Sequence, residues 1–377
     1  MKKGTRIAPT EKKGSQKPKR RMKKGWKIVL IILAVLLVII AAVALYVNAK
    51  LDMIHYDPYD GRLHFASAEE EQEHIEKVDR QIAHGKDPIV QKQQEEMEEA
   101  MEQEGIEVTE SVSYTALPTM EIKHDDNIVN ILLIGTDERA EGFSNFARGD
   151  SCMILSLNKS TGRAKLVSLE RGMGVPILSG QYKGQWDWLT HTFCYGGADL
   201  MMQEVRECFR VDVHKYVRVN FGTFRAGINA IGGVDITLTQ AEADYLNNMD
   251  PEHPVTAGTN HLYGFTALQY ARIRKIDSDW TRIKRQRTVI QAAINQTKGL
   301  NPAQLDSTLN RVLPLVMTNL TKGEILELVP KFQGVTLEQM TIPASGTYGG
   351  MRGMGGRSLY AVDFTANAKI LQEFLYG

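Results

Sequence analysis

Between residues 28 and 47 the chain carries twenty consecutive residues without a charge and with almost no polar side chain. A helix of that length can cross a hydrocarbon core of roughly 30 Å. The 27 residues before it contain twelve lysines or arginines and one acid, and such basic tails stay on the cytoplasmic side. The pattern predicts a cytoplasmic tail at 1–27, one transmembrane anchor at 28–47 and an extracytoplasmic remainder. A cleavable signal peptide is the alternative, although its apolar region usually spans only about 7–15 residues.

Polar and acidic positions dominate the next segment, residues 48–118. Glutamate and glutamine crowd residues 68–107, aromatic residues are nearly absent, and a break at 85–88 divides the stretch into two helical halves. A segment with so few apolar positions is typical of a solvated chain. We therefore expect an acidic helical stalk that lifts a folded domain off the membrane. A helix that binds a partner protein is the alternative.

From residue 119 onward, short apolar runs that predict strands interleave with longer stretches whose apolar positions are three and four apart, which predict helices. Strands are predicted at 129–134, 153–157, 164–169, 216–220, 234–238 and near 340, and helices at 198–209, 224–231, 265–271, 280–298, 302–319, 322–329 and 367–375. Such interleaving predicts that residues 119–377 form an α/β fold, a three-layer α/β/α domain with a mixed central sheet. The glycine-rich segment 349–356 is expected to be a mobile loop.

Composition narrows the classes of function. Beyond residue 119 the basic and acidic residues nearly cancel, which argues against nonspecific binding of nucleic acid. The three cysteines, Cys152, Cys194 and Cys208, are too few and too scattered for a disulfide framework or a zinc site. A bridge between Cys194 and Cys208 is left open by the sequence.

Charged residues stand at the ends of successive predicted strands. Asp137 follows the first strand and a glycine, Arg148 and Asp150 stand just before the second, and Arg171 follows the third. Ligands of α/β sheets bind at such strand ends. Residues 148 and 150 point to one side if the chain is extended. The alternatives are a turn residue for Asp137, an internal ion pair for Arg148 and Asp150, and a solvated loop arginine for Arg171.

The strongest local signal opens the predicted helix 280–298. Arg282, Arg285 and Gln286 share one face of that helix. They lie in its first turns, where unpaired backbone N–H groups and the helix dipole favour anions. Arg287 points elsewhere and is expected to be a solvent charge.

Arg272 and Arg274 lie just upstream and point to one side if that segment is extended. Arginine grips phosphate oxygens with a planar, permanently charged fork, and paired aspartates such as Asp137 and Asp150 are hard oxygen ligands suited to Mg²⁺. Together these residues predict a site for a di- or polyphosphate. Asp279 is a candidate base or orienting group in that site.

Eight ordered stretches resemble the LytR–CpsA–Psr family of membrane-anchored cell-wall proteins. They are NILLIGTD at 130–137, RGDS at 148–151, LVSLER at 166–171, YGG at 195–197, YVRVNF at 216–221, IGGVD at 231–235, ALQYARIR at 267–274 and RIKRQ at 282–286. The resemblance covers roughly residues 127–299. It implies an α/β/α domain whose hydrophobic pocket holds a polyprenyl pyrophosphate. It also implies transfer of a phosphoglycopolymer, of teichoic acid or capsule type, from that lipid to peptidoglycan.

By position, the resemblance assigns roles to the residues singled out above. Asp137 and Asp150 match the family's Mg²⁺ ligands. The residues that match its pyrophosphate-binding set are Arg148, Arg171, Arg272, Arg274, Arg282 and Gln286. The chain departs from the family at 170–172, where Glu-Arg-Gly replaces the usual Pro-Arg-Asp, and at Thr190-His191, where a Lys-x-Asn stretch is usual.

These inferences combine into one hypothesis. The arginines hold a pyrophosphate, Mg²⁺ offsets charge on the leaving lipid phosphate, and a peptidoglycan hydroxyl attacks the phosphorus bonded to the glycopolymer. The apolar helices 224–231 and 290–294 are candidates to line a lipid slot. The catalytic candidates are Arg148, Asp150, Arg171 and Asp279.

Three alternatives remain at this stage: a lipid-pyrophosphate binding module, a pyrophosphatase, and a signalling protein that acts through the basic tail. The sequence shows no helix-turn-helix that would support the last of these.

Overall fold

The structure is a computed structural model that describes residues 44–110, 115–138, 142–274, 276–298, 300–328, 331 and 335–377. Residues Lys50–Gly377 form one compact unit, and Met1–Ala49 are assigned to another. No helix in the described part of the chain is long and apolar enough to span a membrane. The basic tail and most of the predicted anchor, residues 28–43, lie outside the described residues.

The described strands are β1 (His55–Tyr56), β2 (Val108–Thr109), β3 (Ile128–Thr136), β4 (Ser151–Asn158), β5 (Ala164–Leu169), β6 (Gly174–Pro176), β7 (Trp186–Trp188), β8 (Lys215–Asn220), β9 (Val234–Leu238), β10 (Gly258–Leu262), β11 (Met317–Thr318), β12 (Leu337–Ile342), β13 (Tyr348–Arg352) and β14 (Ser358–Val362). Seven of them form a central sheet in the order β1-β11-β8-β3-β4-β5-β12. β3 pairs antiparallel with β4 and parallel with β8, and β5 pairs antiparallel with β4 and parallel with β12, so the sheet is mixed. The predicted apolar strands are confirmed as β3, β4, β5, β8, β9 and β12.

The main helices are α1 (Ala68–Val78), α2 (Pro88–Gln103), α3 (Leu189–Phe209), α4 (Phe221–Ala230), α5 (Gln240–Met249), α6 (Gly264–Ala271), α7 (Asp279–Thr297), α8 (Pro302–Val312), α9 (Lys322–Leu328) and α10 (Phe364–Tyr376). Ser278 occupies the position before the first turn of α7. α4 begins with a capping box, in which Asn220 and Thr223 each bind the other's backbone N–H. α8 is shorter than predicted, because a 3₁₀ turn over Leu313–Leu315 and strand β11 follow it.

Alternation along the central strands sends apolar side chains to both faces of the sheet. Leu132, Ile154 and Val167 belong to a core that includes residues of α3 and α10. On the other face, Met153 and Leu166 belong to a core to which residues of α7 and α9 contribute. Full burial of an apolar side chain such as Leu132 contributes about 1.5–3 kcal/mol. The predicted α/β domain with helices on both faces of a mixed sheet is thereby confirmed.

The structure corrects the interpretation of residues 68–107 as a solvated stalk. Val78, Ile82, Val90, Met97 and Met101 are buried in a shared core with side chains of the domain such as those of Trp188 and Tyr360. Five apolar side chains are enough to hold α1 and α2 against the domain, although glutamates cover their outer faces. β2 then pairs with β13.

The glycine-rich segment 349–356 also differs from the expected mobile loop. Most of it belongs to β13 and to a 3₁₀ turn over Met354–Gly356. A side chain at Gly350 would meet the carbonyl oxygen of Glu107 at 2.8 Å. Glycine is therefore needed here for close packing against the chain that leads into β2.

Candidate functional site

Three strand ends meet at one edge of the central sheet. β3 ends at Thr136, β4 begins at Ser151 and β5 ends at Leu169. Gly135 lies opposite Ser151, and Cys152 lies opposite Leu169. The loops that carry Asp137, Asp150 and Arg171 therefore leave the sheet together, as the sequence predicted.

Asp137 and Arg148 form a close ion pair at this edge. The backbone N–H and the Nε of Arg148 each donate to the Asp137 carboxylate at 2.9 Å. An internal ion pair is the alternative that the sequence left open for Arg148, and in the structure its partner is Asp137. One guanidinium nitrogen, Nη1, is buried without a hydrogen bond in the described part of the chain, and its nearest carboxylate is that of Asp87 at 3.5 Å.

Arg171 is the least satisfied charged group of the site. Its side chain is 5% exposed, and its Nε and Nη1 are buried without a hydrogen-bond acceptor among the described residues. Carboxylate oxygens of Asp150, Asp279 and Glu96 lie at 3.7, 3.7 and 3.9 Å, beyond hydrogen-bond reach. Buried guanidinium donors without acceptors are costly. An anion with several oxygens would satisfy them.

The first turns of α7 bring the next two predicted residues to the same place. Nε and Nη2 of Arg282 donate to Asp279 at 2.7 Å each, and Nη1 donates to the Asp150 carbonyl oxygen at 3.3 Å. Ser151, next to Asp150, donates its hydroxyl hydrogen to Gln286 at 3.1 Å. α7 is therefore attached to the start of β4 through both of its site residues.

Arg274 joins this group, whereas Arg272 does not. Nη1 of Arg274 donates to Glu96 at 2.9 Å, and its Nε lies 3.6 Å from Asp279. Arg272 is exposed, and its guanidinium carbon lies 4.5 Å from the centre of the Phe221 ring. Of the residues predicted at the phosphate site, the structure thus brings together Asp137, Arg148, Asp150, Arg171, Arg274, Asp279, Arg282 and Gln286.

The charges of the cluster set the protonation of its acids. Burial raises the pKa of Asp150 and Asp279, but neighbouring guanidinium groups outweigh it, chiefly that of Arg171 for Asp150 and that of Arg282 for Asp279, and both pKa values are lowered. Asp279 is therefore better suited to hold Arg282 than to take a proton.

Glu170 behaves in the opposite way. It is fully buried, and burial together with the nearby charge of Asp279 raises its pKa to about 8. One of its oxygens accepts the backbone N–H of Gly172, and the other has no partner in the described structure. This raised pKa favours the protonated form of Glu170 at neutral pH, and sequence reasoning gave the residue no role.

Two further arginines of α7, Arg285 and Arg287, do not have the roles that their positions on the helix predicted. Arg285 donates to Glu242 at 2.6 Å and to Asp277 at 3.0 Å, so it is occupied by structural ion pairs. Arg287 was expected in solvent but is buried, and it donates to Ser168 and Thr341 on β5 and β12. Position on a helix could not reveal these partners, because they lie far away in the sequence.

Helix α2 contributes site residues that the sequence did not predict. Glu96 pairs with Arg274, and Nε2 of Gln93 approaches Asp150 at 3.5 Å. Thr190 also donates to Asp150, at 3.3 Å. Thr190 belongs to α3 and not to α2. No pattern near Gln93 and Glu96 marked them as site residues, because their role depends on the docking of α2.

The glycine at 172 is explained by the same helix. A Cβ built on Gly172 would lie 2.0 Å from the terminal carbon of Met97 and 3.1 Å from a carboxylate oxygen of Glu170. The position therefore has no room for an aspartate while Met97 is in place.

The sheet face beneath α7 is only partly covered. Leu133, Leu155 and Val217 lie on neighbouring central strands, yet they are only half-buried, and Ile290 and Ile294 of α7 contribute to the same apolar cluster. Helix α4 instead packs in a separate core with β9 and β10. Of the two candidates to line a lipid slot, the structure thus places 290–294, and not 224–231, against the central sheet.

A polar cavity lies away from the charged residues at the strand ends. It has a volume of about 390 Å³ and is lined by residues that include Arg62, Arg206 and Lys215. Lys215 begins β8, which runs parallel to β3, so the cavity lies toward the opposite edge of the sheet.

Cys152, Cys194 and Cys208 are buried free thiols, and burial raises their pKa.

The model of the LytR_cpsA_psr family matches residues 88–374. The chain belongs to the LytR–CpsA–Psr family. The matched region begins at the first residue of α2, so it includes the docked helix that the sequence had suggested was a spacer.

Relatives with assigned names support this family membership. The chain is 32% identical over 225 residues to the polyisoprenyl-teichoic acid–peptidoglycan teichoic acid transferase TagU of Bacillus mycoides, which covers 58% of this chain and 69% of the relative. It is also 32% identical to TagU of Oceanobacillus iheyensis, over 59% and 68% of the two chains.

Solved structures of the family share the fold. A structure titled TagT bound to LIIa-WTA superposes with a TM-score of 0.54 and 26% identity, and it covers 71% of this chain and 99% of that one. TagV of B. subtilis superposes with a TM-score of 0.53 and 25% identity over 67% and 98% of the two chains.

Proposed function

We propose that this protein is a membrane-anchored phosphotransferase that moves a phosphoglycopolymer of the teichoic acid or capsule type from a polyprenyl-pyrophosphate carrier to a hydroxyl group of peptidoglycan. The observation that carries the proposal is Arg171, a buried guanidinium that lacks hydrogen-bond acceptors for two of its nitrogens. Arg148, Arg274 and Arg282 surround the same edge of the sheet. The names of the TagU relatives supply the substrate class.

The lipid part of the donor fits the half-covered face of the sheet. Leu133, Leu155 and Val217 there are only half-buried. Such a surface suits an apolar chain, because covering it removes apolar area from water. We place the polyprenyl tail against this face, with its pyrophosphate at the adjoining strand ends.

Mg²⁺ fits the acidic residues of the site. Asp137 and Asp150 offer carboxylate oxygens, and the buried Oε1 of Gln93, whose amide nitrogen approaches Asp150, has no hydrogen-bond partner among the described residues. The described residues contain no cluster of three or more acids, histidines or cysteines that would form an all-protein cage. Mg²⁺ is usually held by one or two carboxylates plus phosphate oxygens, so two aspartates suffice. Bound there, it would neutralise charge on the phosphates.

In this mechanism the arginines position the reacting phosphorus and stabilise its charge. Arg171 and Arg282 hold the pyrophosphate oxygens, and Asp279 keeps Arg282 in place. The acceptor hydroxyl forms a bond to the phosphorus that carries the glycopolymer, and the bond to the bridging oxygen breaks. The lipid phosphate then leaves and takes up the proton that the hydroxyl loses. Fixed donors of this kind stabilise charge in the transition state without reorganisation. The predicted anchor and extracytoplasmic location are part of the proposal.

The test is a transfer assay with the full chain in detergent, Mg²⁺, a synthetic polyprenyl-pyrophosphate glycan and peptidoglycan oligomers, followed by mass spectrometry. We expect glycan joined to peptidoglycan with the wild type and not with Asp137→Ala. Arg163→Ala is the control for loss of an arginine, because Arg163 pairs with Glu338 in an exposed ion pair. Free glycan phosphate alone would indicate a pyrophosphatase, and bound lipid without product would indicate a binding module; either would refute the transferase.

A further inference from the structure

Helix α2 places a carboxylate at the mouth of the arginine cluster. Glu96 accepts a hydrogen bond from Arg274 at 2.9 Å and lies 3.9 Å from Arg171. Both arginines belong to the set that the proposed function assigns to the pyrophosphate. A carboxylate and a phosphate offer the same kind of oxygen acceptor to a guanidinium group. Glu96 therefore occupies donors that the ligand needs.

The helix itself is held firmly in this position. Val90, Met97 and Met101 are buried on its inner face. At its carboxyl end, Glu104 accepts hydrogen bonds from Trp280 at 2.9 Å and from Tyr348 at 3.1 Å. α2 is thus packed against the domain along its inner face, while the Glu96 side chain is partly exposed at the arginine cluster.

The four arginines of the cluster face five carboxylates, those of Asp87, Asp137, Asp150, Asp279 and Glu96. Without a ligand these carboxylates already outnumber the guanidinium groups by one. A diphosphate adds several negative charges, so binding is favoured if one carboxylate gives way. Glu96 is the most exposed of the five, with 35% of its side chain accessible against 15% for Asp87 and 17% for each of the other three. It also lacks the two-point hydrogen bonding that fixes Asp137 to Arg148 and Asp279 to Arg282.

We infer that Glu96 sets the affinity of the site, as a built-in carboxylate that holds Arg274 in the absence of ligand and is displaced when a pyrophosphate binds. This inference rests on the proposed function, because it concerns the same arginines. Its consequence is that the resident carboxylate weakens ligand binding. Removing its charge should therefore tighten binding, whereas removing an ordinary contact residue would loosen it.

The experiment compares Glu96→Gln with the wild type and with Glu95→Gln, a control that removes the same charge from an exposed position on the same helix. Binding of farnesyl pyrophosphate and of inorganic pyrophosphate, each with Mg²⁺, is measured by titration calorimetry on the full chain in detergent. We expect Glu96→Gln to lower both dissociation constants about tenfold and Glu95→Gln to leave them within about twofold. An unchanged or raised dissociation constant for Glu96→Gln would overturn the inference.

A second comparison removes Arg274, the hydrogen-bond partner of Glu96. In an Arg274→Ala background, Glu96→Gln should no longer tighten binding, because the two residues act as a coupled pair. Full additivity of the two changes would overturn the inference. If neither the wild type nor Glu96→Gln binds either pyrophosphate, the proposed function fails; if both bind equally, only the inference about Glu96 fails.

Discussion

Arg171 and Arg285 are equally buried, with 5% and 3% exposure, yet their surroundings differ. Arg285 meets Glu242, Asp277 and the carbonyl oxygen of Ile273 at hydrogen-bond distance. Arg171 reaches three carboxylates only at 3.7–3.9 Å. A buried arginine with all of its donors used is part of the structure. One with spare donors is a candidate for ligand binding, and burial alone does not distinguish the two.

The largest effects are expected from replacing these two arginines by alanine, and the two variants should differ in what they lose. Arg171→Ala should lower the rate of transfer by about 10²–10³-fold, because it removes a donor to the reacting phosphate. Its free energy of unfolding should fall less than that of Arg285→Ala, because no hydrogen bond in the described structure is broken. Arg285→Ala should lower the free energy of unfolding by about 3–5 kcal/mol, because Glu242 and Asp277 lose their common partner. Initial rates and urea denaturation measure the two effects. If Arg171→Ala lowers the free energy of unfolding as much as Arg285→Ala does, the distinction between the two arginines is wrong.

A smaller effect is the pH dependence that Glu170 gives to the free energy of unfolding. Its pKa is about 8 in the folded protein and near 4.5 in the unfolded chain, so between these values the folded state binds a proton that the unfolded state has released. The contribution of Glu170 to the free energy of unfolding is therefore fully present below about pH 4.5 and is lost as the pH rises through 8, a change of up to roughly 3–5 kcal/mol. Glu170→Gln should flatten this slope in denaturation curves measured from pH 5 to 8.

Glu204 provides the matched control for that measurement. Burial raises its pKa to about 8 as well, but it accepts the backbone N–H of Leu178 and makes no contact with the arginine cluster in the described structure. Glu204→Gln should flatten the stability slope and leave the pH profile of transfer unchanged, whereas Glu170→Gln should change both. Equal pH profiles of transfer for the two variants would show that Glu170 has no influence on the site.

The smallest effect is expected at Arg272. Its contact with the Phe221 ring is worth about 0.5–1 kcal/mol, and the structure gives it no link to the cluster. Arg272→Ala should change the dissociation constant for farnesyl pyrophosphate by less than about fivefold, against a far larger change for Arg171→Ala. A loss as large as that of Arg171→Ala would mean that Arg272 turns toward the site when the ligand binds.

The sequence predicted the sheet and its charged edge well, because both depend on short stretches of neighbouring residues. Unbroken apolar runs identify β3, β4 and β5, and the residues just beyond them can only lie at the strand ends. The sequence could not show what lies opposite those residues. Arg285 is 43 positions from Glu242, and Glu96 is 178 positions from Arg274. Partners at such separations depend on how the helices dock, and a sparse apolar pattern such as Val90, Met97 and Met101 does not reveal that docking.

The early part of the domain has its partners near the end of the chain. β1 pairs with Met317 and Thr318, and β2 pairs with Gly350 and Met351. During synthesis, β1 and β2 can therefore pair only after most of the chain has been made. Contacts so distant in sequence slow folding, because a long loop must close before any of them forms. We expect α2 to dock among the last elements, so that the arginine cluster exists before the helix that covers it.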